Sequence, residues 1–267
     1  MTKPKLIFFD IDGTIIWSRD DQINVMPESA GAAMRALRKN GHKLIVCSGR
    51  CMRFIQLTFP GLFDGFIATN GTHVEYQGEV LYDRTLDLHT MKRLIHTADQ
   101  LSMGIIFGAQ QTGWPYHVEE KILNAFEAHF PDGPFLQRSW RLEEIRPNML
   151  DVFYRQPADI EACRKLLGDE FVFNTHGDTL TADVSIRACD KATGVDLMIR
   201  RLGFNTADTI AIGDGYNDIT MLERVGYGIA MGNAVPELKA KASYITDPIF
   251  SDGLSHAFAH LGLIETT

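Results

Sequence analysis

The sequence predicts an α/β protein whose core of parallel strands is interrupted by an inserted α+β domain. Three observations carry this. Apolar strand patterns alternate with helix patterns from Lys5 to Thr69, the alternation resumes at Lys191, and the stretch between has an antiparallel texture. The length of 267 residues is enough to bury two domain cores.

The first elements follow in order. Lys5 to Phe9 reads as a short buried strand ending at Asp10. A helix starts at Pro27-Glu28-Ser29, repeats apolar residues at Ala30, Ala33, Met34 and Leu37, and stops at Asn40-Gly41. Lys43 to Cys47 is a strand, Met52 to Phe59 a helix and Gly65 to Thr69 a strand. Strands separated by helices require parallel pairing through right-handed crossovers. Val74 to Tyr76 and Glu79 to Tyr82, turning on Gln77-Gly78, then read as a hairpin.

The middle of the chain mixes helices (Leu88 to Leu101, Glu119 to Phe130, Pro157 to Leu167) with strands at Gly104 to Phe107 and Asn148 to Tyr154. A hairpin is expected from Glu170 to Asn174 and Thr179 to Asp183 about His176-Gly177-Asp178. Pro131 to Pro147, rich in proline, glycine and charge, predicts no regular element. After Lys191 come a helix over Thr193 to Leu202, a buried strand over Asp208 to Ile212 and a helix over Ile219 to Val225. Then follow a strand over Tyr227 to Met231, a helix over Val235 to Ala242, the short strand Tyr244-Ile245 and a helix from Leu254. The insertion is about 100 residues long, a domain-sized piece.

Composition limits the partners. Apolar residues at 45% and charged residues at 22% match an ordinary globular protein, and runs such as Leu6 to Phe9 are too short to span a bilayer. Met1-Thr2-Lys3-Pro4-Lys5 carries no secretory apolar region, so a cytoplasmic protein is expected. A net charge of −8 with no Lys/Arg stripe argues against nucleic acid, yet a small site can still be locally positive. Cys47, Cys51, Cys163 and Cys189 form no metal-like grouping and are expected as packed, reduced thiols.

Four clusters carry chemistry. In Phe8-Phe9-Asp10-Ile11-Asp12-Gly13-Thr14 an apolar strand runs into two carboxylates, which is costly unless they meet a cation or strong donors. Taken alone, this pattern also suits a capping turn. Ile212-Gly213-Asp214-Gly215-Tyr216-Asn217-Asp218 repeats the arrangement at a second strand end. Two acidic strand ends in one parallel sheet point to a divalent cation, and all-oxygen donors favour magnesium. Val46-Cys47-Ser48-Gly49-Arg50 places a hydroxyl and a glycine before a helix start, where N–H groups cradle phosphate. Lys191 opens the first helix after the insertion.

In this order the four clusters resemble the motifs of the haloacid dehalogenase superfamily of phosphohydrolases. The likeness extends to its Cof-type, type IIB capped branch through Thr69-Asn70-Gly71, Ala230-Met231-Gly232-Asn233-Ala234 and Asp252-Gly253. Ser48 stands where threonine is commoner, and Ile186-Arg187-Ala188-Cys189-Asp190 replaces a usual glycine, small apolar residue and serine. The resemblance implies a Rossmann-like parallel-sheet core over 1–83 and 184–267, with an α+β cap of type C2 over 84–183.

It also implies roles. Asp10 would be the nucleophile that forms an aspartyl-phosphate. Asp12 would protonate the leaving group and then deprotonate water, which requires a proton at neutral pH against an ordinary pKa of about 3.9. Magnesium would be held by Asp10, the backbone carbonyl of Asp12 and Asp214. Ser48, Gly49, Asn70, Gly71 and Lys191 would bind the phosphoryl group, and Asn217 and Asp218 would orient Lys191 and metal-bound water. The cap would act as a lid, with Trp114, His117 and Arg155 more expected in packing or at the surface than at substrate. The expected substrate is a small phosphorylated metabolite, such as a sugar phosphate or phosphorylated cofactor, with no nucleic-acid or membrane partner.

Two other functions also use residues of this kind. A phosphomutase would share the aspartyl-phosphate, but relatives of that kind place their cap between the first two motifs, where this sequence predicts one helix. A non-catalytic binding module would be expected to lose a charged motif residue, and this sequence keeps them.

Overall fold

The computed structural model describes residues 3–19, 22–175 and 179–265. The elements begin with β1 (Leu6–Phe9), β2 (Trp17–Arg19), β3 (Gln22–Val25), α1 (Glu28–Lys39), β4 (Lys43–Cys47) and α2 (Met52–Thr58). Next come β5 (Gly65–Ala68), β6 (His73–Tyr76), β7 (Glu79–Asp83), α3 (Leu88–Leu101), β8 (Gly104–Gly108) and β9 (Gly113–Tyr116). These are followed by α4 (Glu120–Glu127), β10 (Met149–Phe153), α5 (Pro157–Leu167), β11 (Phe171–Thr175) and β12 (Thr181–Ile186). The chain closes with α6 (Lys191–Leu202), β13 (Thr209–Gly213), α7 (Ile219–Leu222), β14 (Tyr227–Ala230), α8 (Pro236–Lys239), β15 (Tyr244–Ile245) and α9 (Gly253–His260).

An eight-stranded sheet has the order β15-β14-β13-β1-β4-β5-β6-β7. From β15 to β5 it is parallel, and β6 then pairs antiparallel to β5. β1 is apolar throughout because it lies at the centre, buried on both faces. α1 covers the sheet with Ala30, Gly31, Ala33, Met34 and Leu37, and ends at Asn40, with Gly41 at φ +86°. Strand order places β4 and β5 on one side of β1 and β13, β14 and β15 on the other. The crevice at such a reversal is where open α/β sheets bind ligands, beyond the carboxyl ends of the strands.

The described residues divide into two compact units. The first runs through Ser48 and takes in Phe59–Leu81 and the chain from Asp190 onward. The second is Gly49–Thr58 with Tyr82–Cys189. Its antiparallel five-stranded sheet has the order β11-β12-β10-β8-β9. Ile105, Phe107, Leu150, Val152, Ala182 and Val184 alternate along these strands and share a core with Met91, Leu94 and Ala98 of α3 and Ile160, Cys163 and Leu167 of α5.

Residues 49–58, 82–83 and 184–189 lie in the second compact unit. Some elements differ from the sequence reading. The interval between the first two motifs holds the antiparallel ribbon β2–β3 as well as a helix. β9 has no counterpart in the sequence reading; its Pro115 is tolerated because β9 is an edge strand. The stretch from Pro131 to Pro147 contains no helix or strand, but it is held by partners on α4 and β9. The Glu127 carboxylate accepts from Phe135 N–H (2.8 Å) and Leu136 N–H (2.7 Å), and Trp140 Nε1 donates to Pro115 O (3.0 Å). The turn expected at His176-Gly177-Asp178 lies outside the described residues.

Candidate active site

The strand register brings the motifs to one edge. Phe9 is paired with Ile212 on one side and Val46 on the other, so Asp10, Gly213-Asp214 and Cys47-Ser48 leave the sheet together. Asp10 N–H donates to Ile212 O (3.0 Å), continuing the ladder by one residue. Ser48 N–H donates to Ile67 O (2.9 Å) and Asn70 N–H to Ser48 O (3.0 Å), which adds the end of β5 to the same edge.

Lys191, 1% exposed, is the centre of the charge arrangement. Its Nζ lies 2.5 Å from Asp10 Oδ1 and 2.6 Å from Asp218 Oδ1. The other Asp218 oxygen accepts from the N–H groups of Asp214 and Gly215, both at 2.9 Å. Asp218 therefore spends both oxygens on Lys191 and on the loop that carries Asp214. Lys191 reaches this position because Asp190 caps α6, its carboxylate accepting from Thr193 N–H at 2.8 Å.

Asp10, Asp214 and Asp218 offer oxygens that all lie within 4.8 Å of one another. Burial, then the nearby Asp218 carboxylate, push the Asp10 carboxyl well above its usual range, with Lys191 opposing. The same two causes push Asp214 up to about 7. Burial alone would lower the Lys191 ammonium, but Asp10 and Asp218 outweigh it and hold the proton more tightly than usual. Three carboxylates and one ammonium leave two formal negative charges, which a divalent cation balances. The donors are oxygens only, so the cluster suits a hard cation.

Two loops are built to bring Asp214 close. Gly13 sits at φ +81°, and a Cβ there would fall 2.1 Å from Asp214 Oδ2. Thr14 Oγ1 donates to Asp214 Oδ1 at 3.3 Å. Asn233 was expected only as supporting text around the motifs, yet it joins them: its Nδ2 donates to Gly13 O (2.8 Å) and Asp214 Oδ2 (3.3 Å). The signal was its place just past a buried strand end, beside two acidic strand ends.

The remaining expected residues separate. The Asp12 side chain is exposed and outside the carboxylate cluster, where Asp218 stands with Asp10 and Asp214 instead. Asn70, at φ 53°, accepts from Asn217 Nδ2 at 3.1 Å. Gly71, at φ +88°, lets the chain pass Asp190, whose carbonyl oxygen a Cβ would meet at 2.1 Å. Ser48 is buried, and Gly49 opens the segment that groups with the second unit. The helix-start N–H groups expected for phosphate are spent elsewhere, since Met52 N–H donates to Gln110 Oε1 and Arg53 N–H to Gln110 O, both at 3.0 Å. All four cysteines are unpaired and buried, and burial pushes the Cys51 thiol up to about 11, which removes reactive thiolate at neutral pH. Trp114 belongs to the second unit's core, while His117 and Arg155 are exposed.

An α/β hydrolase with an inserted α+β unit is the class that this sheet edge and the chain's organisation define. The model of the haloacid dehalogenase-like hydrolase family matches residues 7–258, and the chain belongs to that family. It is 34% identical over 272 residues to "Putative phosphatase YkrA" of Bacillus subtilis (strain 168), covering 98% of this chain and 99% of the relative. It is 29% identical over 246 residues to the HMP-PP phosphatase of Yersinia pestis (strain Pestoides F), covering 88% of this chain and 86% of that one. Among solved structures, the subclass IIB sugar phosphatase BT4131 superposes with a TM-score of 0.82 at 26% identity, over 97% of this chain and all of that one. The chain is thus a phosphatase-class enzyme of the capped Cof-type branch.

Proposed function

We propose that this enzyme is a magnesium-dependent phosphatase that hydrolyses small phosphate monoesters, sugar phosphates or phosphorylated cofactors, through a phosphoryl group carried on Asp10. The carrying observation is the Asp10–Lys191–Asp218 triad beside Asp214 at the sheet's switch point. Lys191 fixes one Asp10 oxygen and favours the ionised carboxylate that a nucleophile needs, against the effect of burial. Asp12, on the exposed side of the same turn, donates a proton to the departing alkoxide and then takes one from the attacking water. Ser48, Gly49, Asn70, Gly71 and Lys191 bind phosphoryl oxygens.

Asp10, Asp214 and the Asp12 backbone carbonyl would hold magnesium. When bound, the ion offsets the repulsion between the Asp10 carboxylate and the phosphoryl group. Asn217 and Asp218 orient the residues around it. The relatives named for HMP-PP and for sugar phosphatase activity support a phosphorylated metabolite as substrate. We place the enzyme in the cytoplasm.

The test is phosphate release from p-nitrophenyl phosphate. Activity should require magnesium, be lost with EDTA, and fall at least about 10³-fold in Asp10→Asn, in line with removal of an essential charged group. After rapid quench, mass measurement of the intact protein should find one added phosphoryl group, and mapping of its digest should locate that group on the peptide containing Asp10. Undiminished turnover by Asp10→Asn would overturn the reading.

A further inference from the structure

Asn233 lies in the first unit, on the loop after β14, and is exposed. An exposed amide can satisfy itself with water, yet this one makes three bonds within the protein. Its Oδ1 accepts from Ile249 N–H (2.9 Å), and its Nδ2 donates to Gly13 O (2.8 Å) and Asp214 Oδ2 (3.3 Å). The chemistry of the partners fixes this orientation. A main-chain N–H can only donate, so it takes the amide oxygen, and the two amide hydrogens are left for a carbonyl and a carboxylate oxygen. A flipped amide would lose all three bonds.

The loop that presents Asn233 is itself fixed. Met231 N–H donates to Gly213 O (3.0 Å), Val235 N–H to Asp214 O (2.9 Å) and Lys239 Nζ to Gly232 O (2.6 Å). Gly232 N–H donates to Asp247 O (3.1 Å), and a Cβ on Gly253 would fall 2.0 Å from that same oxygen. The glycine of Asp252-Gly253 therefore permits a close approach to Asp247, which holds Gly232, while Ile249 holds Asn233. Asn233 in turn joins the loop after β1, at Gly13, to the loop after β13, at Asp214. The Asp214 carboxylate is thus held at both oxygens, Oδ2 by Asn233 and Oδ1 by Thr14 Oγ1 (3.3 Å).

We propose that Asn233 is a positioning residue for the metal site: it fixes the Asp214 carboxylate against the Gly13 turn and so sets the affinity for magnesium. This rests on the reading of Asp214 and the Asp12 carbonyl as metal ligands. Gly13 directly follows Asp12, so one amide aligns both ligands, while Lys191 holds the Asp10 nucleophile independently. Without Asn233 the Asp214 carboxylate keeps its Thr14 bond alone, and ordering it at the moment of binding weakens the site.

The experiment is isothermal titration of magnesium into wild type, Asn233→Ala and Asp214→Asn, with p-nitrophenyl phosphate kinetics at a series of magnesium concentrations. In Asn233→Ala the magnesium dissociation constant should rise about 10–100-fold, the usual weight of a partner that orients a metal ligand. Half-maximal turnover should need more magnesium by the same factor, and saturating metal should restore most of kcat. A lower melting temperature in EDTA with an unchanged dissociation constant, and a turnover loss that magnesium does not rescue, would make Asn233 merely structural and overturn the proposal. If Asn233→Ala does not fold, hydrogen exchange on the wild type decides. Magnesium should slow exchange at Ile249, whose N–H is accepted by the Asn233 amide, together with the peptide containing Asp214. Slowing at Asp214 without Ile249 would refute the link. Absence of magnesium binding by the wild type, or undiminished binding by Asp214→Asn, would instead sink the reading of Asp214 as a metal ligand.

Discussion

Replacing Lys191 with methionine tests the charge arrangement most directly. The side chain is fully buried between Asp10 and Asp218, themselves 8% and 0% exposed. Methionine fills most of the space but leaves two buried carboxylates without their cation. Breaking a buried pair by removing one partner costs about 3–5 kcal/mol, against a typical total stability of about 5–15 kcal/mol. At about 2–4 °C per kcal/mol for a chain of this order, the melting temperature should fall by about 6–20 °C in EDTA. The cost arises from an uncompensated charge, so a second change, Asp218→Asn, should recover part of it in the Lys191→Met background. Thermal unfolding by circular dichroism of wild type, both single variants and the double variant gives the coupling between the two sites. A Lys191→Met protein that melts like wild type, or a double variant no more stable than Lys191→Met, would refute the view that Lys191 neutralises these carboxylates. Turnover should fall at least about 10²–10³-fold in Lys191→Met, as expected when a donor to developing charge is lost.

Three further outcomes follow from the same structure. Gly13→Ala should destabilise by about 1–3 kcal/mol, because alanine must adopt positive φ and its Cβ meets the Asp214 carboxylate; urea unfolding reads this, and isothermal titration should show weaker magnesium binding. Magnesium at about 100 times its dissociation constant should raise unfolding stability by about 2.7 kcal/mol, and Asp214→Asn should abolish most of that gain in a thermal shift assay. His42 is buried, its Nδ1 accepts from Lys5 N–H (3.0 Å), and its Nε2 has no hydrogen-bond partner among the described residues. Burial, then Lys5, lowers its pKa from the usual 6.5, so below that pH the unfolded chain binds more protons than the folded one. Stability should therefore fall as pH drops through about 6.5 toward the folded value, and His42→Gln should flatten that part of the urea-midpoint profile.

Much of the fold is legible because local and global preferences agree. The apolar spacing of α1 marks its buried face, and Asn40-Gly41 marks its end, without reference to any other element. The apolar strands ending at Asp10 and Asp214 read as central because both faces are covered. β2, β3 and β9 escape because short, partly exposed strands carry little periodic signal, and in β9 a proline opposes it. The stretch 131–147 escapes for a different reason. Its order comes partly from the nearby Glu127, whose carboxylate takes up main-chain N–H groups that leave no side-chain pattern, and partly from Arg53 and Pro115, which no window of neighbours contains.

The sequence by itself determined which residues could carry the chemistry, because acidic residues at the ends of apolar strands, a hydroxyl before a helix and a lysine opening another are visible in one dimension. It also determined the division into a parallel core and an insertion, through the change in pattern at either side. Only the tertiary structure decided the pairings. It set Lys191 between Asp10 and Asp218, bound Gly13 to Asp214 through Asn233, and fastened α2 to Gln110 rather than leaving its first N–H groups to a phosphate. The physical reason is that charge neutralisation and hydrogen-bond satisfaction depend on distances of a few ångströms between residues up to 220 positions apart, and chain packing alone fixes those distances.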